Sequence, residues 1–300
     1  MNRTGRYAPS PSGELHLGNL RTAVLAWLFA RSQGAELLLR VEDLDRQRSR
    51  EEFVAGQLDD LRALGLDWDG ELPRQSGRAS DYDEAIVQLR SEGLVYECFC
   101  TRSEIRAAAS APHAGMPEAA YPGTCLELTE AEREVRRAER PAALRVRTEA
   151  ERITFDDRLH GACEGLVDDF VVRRNDGTHG YNLAVAIDDG EQGIGEVVRG
   201  RDLLDSTPRQ LWIQRRLGLS EVESWAHVPL LLGADGERLA KRHGDVTLAD
   251  RRALGQSPEQ VLGELAASLG IWPTDEPATI GELLEQFDPA ALPSADTKLG

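Results

Sequence analysis

The sequence predicts an α/β protein: a doubly wound parallel sheet with helices on both faces, interrupted by a cysteine-bearing insertion and followed by a short helical C-terminal region. Three observations predict it. The first 95 residues alternate strand and helix patterns, an order that builds a parallel sheet covered by helices. From Cys98 to about Arg140 the alternation gives way to an Ala/Pro/Gly-rich stretch with few large apolar residues. Strand and helix signals then return and end in short helical segments. The expected organisation is a half-domain at 1–97, an insertion at 98–140, a second half-domain at 141–244 and a C-terminal region at 245–300.

The elements follow in order. "GRYAP" is a short strand that ends at a proline, and "NLRTAVLAWLFARSQG" has apolar residues at helical spacing up to Gly34. "ELLLRVE" is a continuous apolar run, as in a parallel strand buried on both faces. "SREEFVAGQLDDLRALG" reads as a helix with a capping box from Ser49 to Glu52 and a stop at Gly65. "DYDEAIVQLRSEG" is a further helix and "LVYECF" a further strand. Beyond the insertion, "ALRVR", "ITFDD" and "DFVVRR" are strands, and "NDG" at Asn175–Gly177 turns the chain into "YNLAVAID" as the returning strand. "GEVVRG" is short and apolar. "STPRQLWIQRRLG" is a helix with Thr207 as cap, Pro208 in the first turn and Gln210 closing the box. "VPLLLGADGERLA" reads as a hairpin around Asp235-Gly236, and "SPEQVLGELAASLG" leads the tail helices.

Composition bounds the function. At 41% hydrophobic and 29% charged, the 300 residues read as an ordinary soluble protein with an ample core. The run "TAVLAWLFA" is far shorter than the ~20 apolar residues of a membrane helix. "MNRTGRYAPS" lacks an apolar signal core, so a cytoplasmic, membrane-free protein is expected. The net charge of −17 argues against a broad basic surface for nucleic acid. The arginine clusters at Arg136–Arg137, Arg173–Arg174 and Arg215–Arg216 read as solvated faces.

Four constellations can carry chemistry. In "APSPSGELHLGN" a strand end, a Pro/Ser/Gly loop and a helix start bring backbone N–H groups, Gly18 and His16 to one place, which suits a phosphate. Spacing alone favours a proline-rich turn with a surface histidine. "RVEDLD" ends a buried strand in Glu42, Asp43 and Asp45, at the edge where ligands bind such sheets; a carboxylate there can hold an amino group or a ribose hydroxyl, or simply be solvated. Cys98, Cys100 and Cys125 supply three soft ligands suited to tetrahedral zinc, a staple for an insertion that cannot build a core. On chemistry alone His113 is a better fourth ligand than Tyr121. Cys163 stands apart and is expected as a small core residue. Last, only two of the 35 basic residues are lysines, and one of them, Lys241, sits in "RLAKR". A lysine is a mobile point charge that suits a phosphate, although the pentapeptide alone reads as a solvated loop.

Taken in order, "HLGN", "RVEDLD", the cysteine insertion, "GEVVRG" and "RLAKR" resemble class I aminoacyl-tRNA synthetases of the glutamyl group. "HLGN" is similar to their HIGH signature, with Asn19 for the last histidine. "RLAKR" is similar to their KMSKS loop, with Arg238 for the first lysine and Ala240 and Arg242 for the serines. The match runs from about Arg6 to Gly244. It implies a Rossmann-like catalytic domain with an inserted zinc-binding subdomain. Within the group the chain most resembles the short paralogues that glutamylate queuosine at the wobble position of tRNA(Asp). About 56 residues follow Gly244, too few for the helical anticodon-binding region of the full-length enzymes. The spacing of "YPGTC" resembles those paralogues' zinc motif, which implies Tyr121 as the ligand completing Cys98, Cys100 and Cys125.

The resemblance implies that glutamate and ATP form glutamyl-adenylate without tRNA, and that the glutamyl group then passes to queuosine. Arg6, Tyr7, Ala8, Pro9, Ser10, Glu42, Tyr181 and Arg199 would bind glutamate, with Arg6 clamping a carboxylate and Glu42 the α-ammonium. His16, Gly18, Asn19 and Lys241 would bind ATP, with His16 and Lys241 acting on its phosphates. Magnesium would arrive with ATP, and one zinc ion would be structural. The expected partners are L-glutamate, ATP and queuosine-bearing tRNA(Asp), and the expected state is a monomer. The alternatives are a glutamyl-tRNA synthetase core that charges tRNA(Glu), and an idle paralogue that binds tRNA or a protein.

Overall fold

A computed structural model describes residues 3–101, 103–105, 121–233, 235–237, 239 and 246–298. Lys241 with its neighbours Arg238, Ala240 and Arg242, and His113, lie outside the described residues.

Strand β1 (Gly5–Tyr7) lies inside the sheet and is buried throughout. Helix α1 (Leu17–Ser32) is capped by the His16 ring and ends before Gly34, whose φ of +64° only glycine adopts without strain. The helix buries residues on nearly every side because it packs on the sheet with one face and on C-terminal helices with another. Strand β2 (Leu37–Leu39) follows, then α2 (Glu51–Ala63), α3 (Ala79–Ser91), β3 (Val95–Cys98) and α4 (Glu130–Glu139). Next come β4 (Ala143–Val146), β5 (Arg152–Asp157), β6 (Gly161–Leu166), β7 (Val171–Arg173), α5 (Tyr181–Glu191), β8 (Glu196–Gly200), α6 (Thr207–Leu217), β9 (Ser224–Val228) and β10 (Leu231–Leu232). Three helices, α7 (Leu248–Ala253), α8 (Pro258–Ala267) and α9 (Ile280–Gln286), precede β11 (Thr297–Lys298).

The main sheet has the order β2-β1-β8-β9-β5-β6. Its first five strands are mutually parallel, and β6 is an antiparallel edge on β5. One core lies between α1, the sheet and the C-terminal helices, with Leu20, Leu25, Leu28 and Val261 fully buried. The other packs α3, α5 and α6 beneath the opposite face through Tyr82, Leu89, Leu183 and Trp212. From β1 the chain proceeds to β2 on one side, while β8 pairs on the other. That reversal opens a crevice at the carboxyl ends of β1 and β8.

Several sequence expectations need correction. β3 does not extend the parallel sheet; it pairs antiparallel with β4 in a separate sheet of order β3-β4-β7. Its burial alternates between partial and full, the mark of a strand covered on one face. "YNLAVAID" is the helix α5 rather than a strand. A run buried from Leu183 to Gly190 has neither period, so its helical winding was invisible in the pattern. Gly180 permits it, because a Cβ there would lie 2.3 Å from the Val171 carbonyl oxygen. The capping box at Ser49 does not form, since α2 starts one residue later with Arg50 at its cap. Thr207 is inside α6, not its cap, which is Ser206. "GACEGL" is the unforeseen strand β6, and Cys163 on it is only half-buried rather than in the core. Helix α4 was missed because it buries nothing; its one local signal is the Thr129–Glu132 capping box. The turn at Asp235-Gly236 does close, through Gly233 N–H to the Glu237 carbonyl and Leu239 N–H to the Leu231 carbonyl. β10 itself pairs in parallel with β11.

The arginine clusters are solvated and neutralised locally. Arg137 pairs with Glu97 at 2.6 Å, Arg174 with Asp176 at 2.8 Å, Arg215 with Glu221 at 3.1 Å and Arg216 with Glu151 at 2.9 Å. No helix among the described residues is long and apolar enough to cross a membrane.

Candidate active site

The crevice holds a cavity of about 620 Å³, within the usual range for a small-molecule site. Arg6 to Ser10 line it from the end of β1, Val198 to Gly200 from β8, and Pro229 to Leu231 from the segment after β9. His16, Gly18 and Asn19 line it from the start of α1, with Glu42 beyond β2 and Tyr181 at the first turn of α5. Every expected glutamate-pocket residue is therefore at one cavity, together with the α1 part of the nucleotide set. Not all of them present a free group to it. The Tyr7 phenol donates to the Asn19 carbonyl at 3.2 Å and so ties β1 to α1. The Pro9 carbonyl accepts Glu42 N–H at 3.0 Å, which sets the acid's position relative to the loop.

Beneath the cavity lies a buried charge frame. Arg40, fully buried on the strand run, donates to Asp189 at 2.8 Å and to Glu42 at 3.2 Å, and its Nε lies 3.5 Å from Asp188. Asp189 also receives Arg6 Nε at 3.4 Å. Burial opposes the Asp189 charge, but Arg6 and Arg40 outweigh it and hold its carboxyl below the ordinary value. Burial pushes the Glu42 carboxyl above its ordinary value, against the pull of Arg40 and Arg6. Asp188 is further tied to the Tyr82 phenol at 3.0 Å and Gln75 at 2.8 Å. The frame thus fixes a cation, Arg6, and an anion, Glu42, at the wall of one cavity: two poles for a zwitterionic ligand.

Arg199 is the contrasting cation. It is 4% exposed, yet its partners are neutral: His227 Nε2 at 3.0 Å, Gln210 Oε1 at 2.7 Å, Thr207 Oγ1 at 2.8 Å and the Leu203 carbonyl at 3.1 Å. Its guanidinium also lies over the Trp225 ring, 4.8 Å from the centroid. Among the described residues no carboxylate contacts it. Burial lowers its pKa to about 10, which still leaves it charged at neutral pH. A buried guanidinium without a touching counter-ion is a strong attractor for a carboxylate.

Sequence reasoning missed Arg40, Asp188, Asp189, Thr207, Gln210 and His227. The available signals were an arginine inside the apolar run "LLLRV", paired acids ending an apolar helix, and a histidine inside the buried strand "SWAHV".

At the α1 end of the cavity, His16 Nδ1 accepts Asn19 N–H at 3.2 Å, so the neutral ring carries its proton on Nε2, a form that can donate a hydrogen bond into the cavity. Gly18 is explained by the ring itself: a Cβ there would come within 3.0 Å of His16 Cε1. The expected helix-start anion site is narrower than its position suggests, because Leu17 N–H already bonds the Val246 carbonyl at 2.7 Å.

The cysteine cluster is separate. The three sulfurs of Cys98, Cys100 and Cys125 lie within 4.8 Å of one another. Cys100 and Cys125 are 3.5 Å apart, and the Tyr121 hydroxyl is 3.4 Å from Cys98 and 3.5 Å from Cys100. A tetrahedral zinc with bonds of about 2.3 Å to sulfur has donor separations of about 3.5–3.8 Å; the Cys100–Cys125 pair and the Tyr121 contacts lie near that range, so three thiols and a phenol are a donor set compatible with zinc. Tyr121 is buried under the Arg145 guanidinium, 3.8 Å from the ring centroid.

Known proteins place the chain. The family model described as tRNA synthetases class I (E and Q), catalytic domain, matches residues 3–287. The chain belongs to that family. Over 290 residues it is 59% identical to the glutamyl-Q tRNA(Asp) synthetase of Nocardia farcinica, covering 96% of this chain and 90% of that one. It is 48% identical over 309 residues to the glutamyl-Q tRNA(Asp) synthetase of Symbiobacterium thermophilum, covering 98% and 95%. Among solved structures, a glutamate tRNA ligase from Elizabethkingia meningosepticum in complex with its amino acid matches with a TM-score of 0.81 at 27% identity, covering 100% of this chain and 67% of that one. The fold is that of a class I synthetase catalytic domain with a Rossmann-like sheet, as expected from "HLGN" and "RVEDLD".

Proposed function

We propose that this chain activates glutamate with ATP and transfers the glutamyl group to queuosine at the wobble position of tRNA(Asp). The observation that carries the first half is that Glu42, Arg6 and an Arg199 with no carboxylate in contact line one cavity, a charge pattern complementary to an amino acid with two carboxylates. The second half is supported by the 59% identity to a glutamyl-Q tRNA(Asp) synthetase over nearly the whole of both chains.

In this reading an α-carboxylate oxygen of glutamate attacks the α-phosphorus of ATP. The new O–P bond replaces the bond to pyrophosphate, which leaves. A queuosine hydroxyl then attacks the activated carbonyl and AMP departs. Glu42 holds the ammonium, Arg6 and Arg199 hold carboxylate oxygens, and Tyr181 closes the pocket. His16 donates from Nε2 to the phosphates, beside Gly18 and Asn19, and Lys241 adds a compact positive charge. Catalysis is positioning plus stabilisation of developing charge, with no covalent enzyme intermediate. Magnesium travels with ATP as a phosphate-bound ion. One zinc ion, held by Cys98, Cys100, Cys125 and Tyr121, would supply structure to the insertion and no reactive chemistry. The protein would work in the cytoplasm as a monomer.

The test is glutamylation of tRNA(Asp) with and without queuosine, preceded by ATP–pyrophosphate exchange with glutamate in the absence of tRNA. Incorporation that needs queuosine is the expected result. Charging of tRNA(Glu) at its 3′ end would replace the acceptor half of the reading, and absence of exchange would remove the whole of it. Lys241→Arg tests the loop: the charge is kept, and adenylate formation should still fall because a planar fork cannot replace a compact ammonium.

A further inference from the structure

Arg199 is set by what stands behind it. β8 and β9 are parallel neighbours, and their register places Arg199 opposite His227. Both side chains therefore emerge on the same face, and Arg199 Nε meets His227 Nε2 at 3.0 Å. The other ring nitrogen, Nδ1, is 2.6 Å from Asp157 Oδ2 at the end of β5. His227 is 0% exposed, and its ring stacks on Trp225 with an interplanar angle of 8°.

The protons in this line follow from donor counting. Asp157 accepts from four donors: the His227 ring and backbone N–H on Oδ2, and the backbone N–H groups of Leu159 and His160 on Oδ1. Burial works against its charge, but these bonds prevail and hold the carboxyl below its ordinary value, so it is an ionised acceptor. His227 Nδ1 must then carry the ring proton. Nε2 faces Arg199 Nε–H, which can only donate, so Nε2 must be bare. The imidazole is neutral, and burial, which lowers its pKa to about 4, keeps it so. The Thr207 hydroxyl, 3.2 Å from Nε2, accepts from Arg199 and can donate to the ring, closing the arrangement.

A carboxylate directly against Arg199 would fix its position equally well but would neutralise the charge that the substrate needs. The Asp157–His227 line supplies the geometry and keeps the anion one ring away. We propose that Asp157 and His227 are positioning residues that hold the Arg199 guanidinium toward the cavity through a neutral imidazole, leaving its charge for a carboxylate of the substrate. This deepens the glutamate-activating reading and rests on it.

His227→Asn and His227→Gln separate this role from simple packing. The asparagine amide reproduces Nδ1 and loses the acceptor for Arg199; the glutamine side chain reaches the Nε2 position and restores it. In ATP–pyrophosphate exchange, His227→Asn should raise the KM for glutamate by about tenfold or more, with the KM for ATP within about twofold of wild type. His227→Gln should stay within about threefold of wild type for both substrates. Equal damage in the two variants, or a parallel rise in both KM values, would overturn the proposal. If His227→Asn does not fold, ¹⁵N NMR of the wild-type imidazole decides. A bare Nε2 with a protonated Nδ1 at neutral pH supports the line, and a protonated Nε2 refutes it. A wild-type protein with no glutamate-dependent exchange would remove the activity reading, while the NMR result would still judge the hydrogen-bonded line by itself.

Discussion

The crevice at the ends of β1 and β8 and the cysteine cluster rest on cores of very different size. Around the crevice, Arg6, Arg40, Glu42, Asp188, Asp189 and Arg199 project from strand ends and one helix, between two large apolar cores. Their positions follow from strand register, and most of the charges are paired inside the protein. The cluster at Cys98, Cys100, Tyr121 and Cys125 rests on a much smaller core, with Tyr96 and Phe99 as its other buried members. A core of this size contributes little stability of its own, and the three thiols with the Tyr121 hydroxyl are a donor set compatible with a metal ion. The crevice is ordered by strand register between two cores, whereas the cluster is held by contacts among its own few side chains.

The comparison can be broken from either side. The largest expected effect is on Arg199→Ala. Truncating a buried charge that meets a charged ligand typically costs 2–5 kcal/mol, so kcat/KM for glutamate should fall about a hundredfold or more. Its stability should fall less than that of Asp189→Asn, because truncation leaves neutral acceptors, not a buried charge, without a partner. A strong loss of stability would show that Arg199 belongs to the structural frame after all. Asp189→Asn should do the reverse in emphasis. It leaves Arg6 and Arg40 under-compensated and should lower stability by about 3 kcal/mol in urea unfolding, with a raised KM for glutamate. An unaltered midpoint would mean the frame is not what holds Arg6.

Smaller effects sharpen the contrast. Chelation of bound metal, or Cys125→Ser, should speed amide exchange in the segments around Cys98 and Cys125 while the parallel sheet keeps its protection. Glutamate activation should remain within about fivefold of the untreated enzyme. Loss of protection across β1 and β8 would join the two regions into one cooperative unit. The smallest effect concerns acid. His227 is held neutral down to about pH 4 when folded, whereas an exposed histidine protonates near 6.5. The unfolded chain therefore binds the proton first, and this residue's contribution to stability is present above pH 6.5 and is lost as the pH falls toward 4. At pH 5.5 the loss is about 1–2 kcal/mol, and His227→Gln should abolish that part of the acid slope.

Much of the site was legible before the fold was known. His16 and Gly18 stand in a strand–loop–helix junction that spacing alone reads as a proline-rich turn, and Glu42 ends an apolar run that is equally consistent with plain solvated charge; the ordered resemblance tips both, and Arg199 comes from that resemblance alone. Arg40, Asp189, Thr207 and His227 were not assigned: a charged or polar group in an apolar run signals a buried partner, but the segment does not say which residue that partner is. Thr207 precedes a proline at a helix start, the sequence mark of a cap; it lies instead in the first turn of α6, and its hydroxyl meets Arg199 and His227.

By itself, then, the sequence determined the alternation of strands and helices, the chemistry of the loop at His16 and the supply of three thiols, since these depend on neighbours a few positions away. Tertiary structure decided that "YNLAVAID" winds as a helix, that β3 leaves the parallel sheet, and that β8 and β9 meet in the register that sets His227 against Arg199. Those outcomes depend on which strand lies beside which. For side chains 28 or more positions apart, such as Arg199 with His227 and Asp157 with His227, no local pattern carries that information.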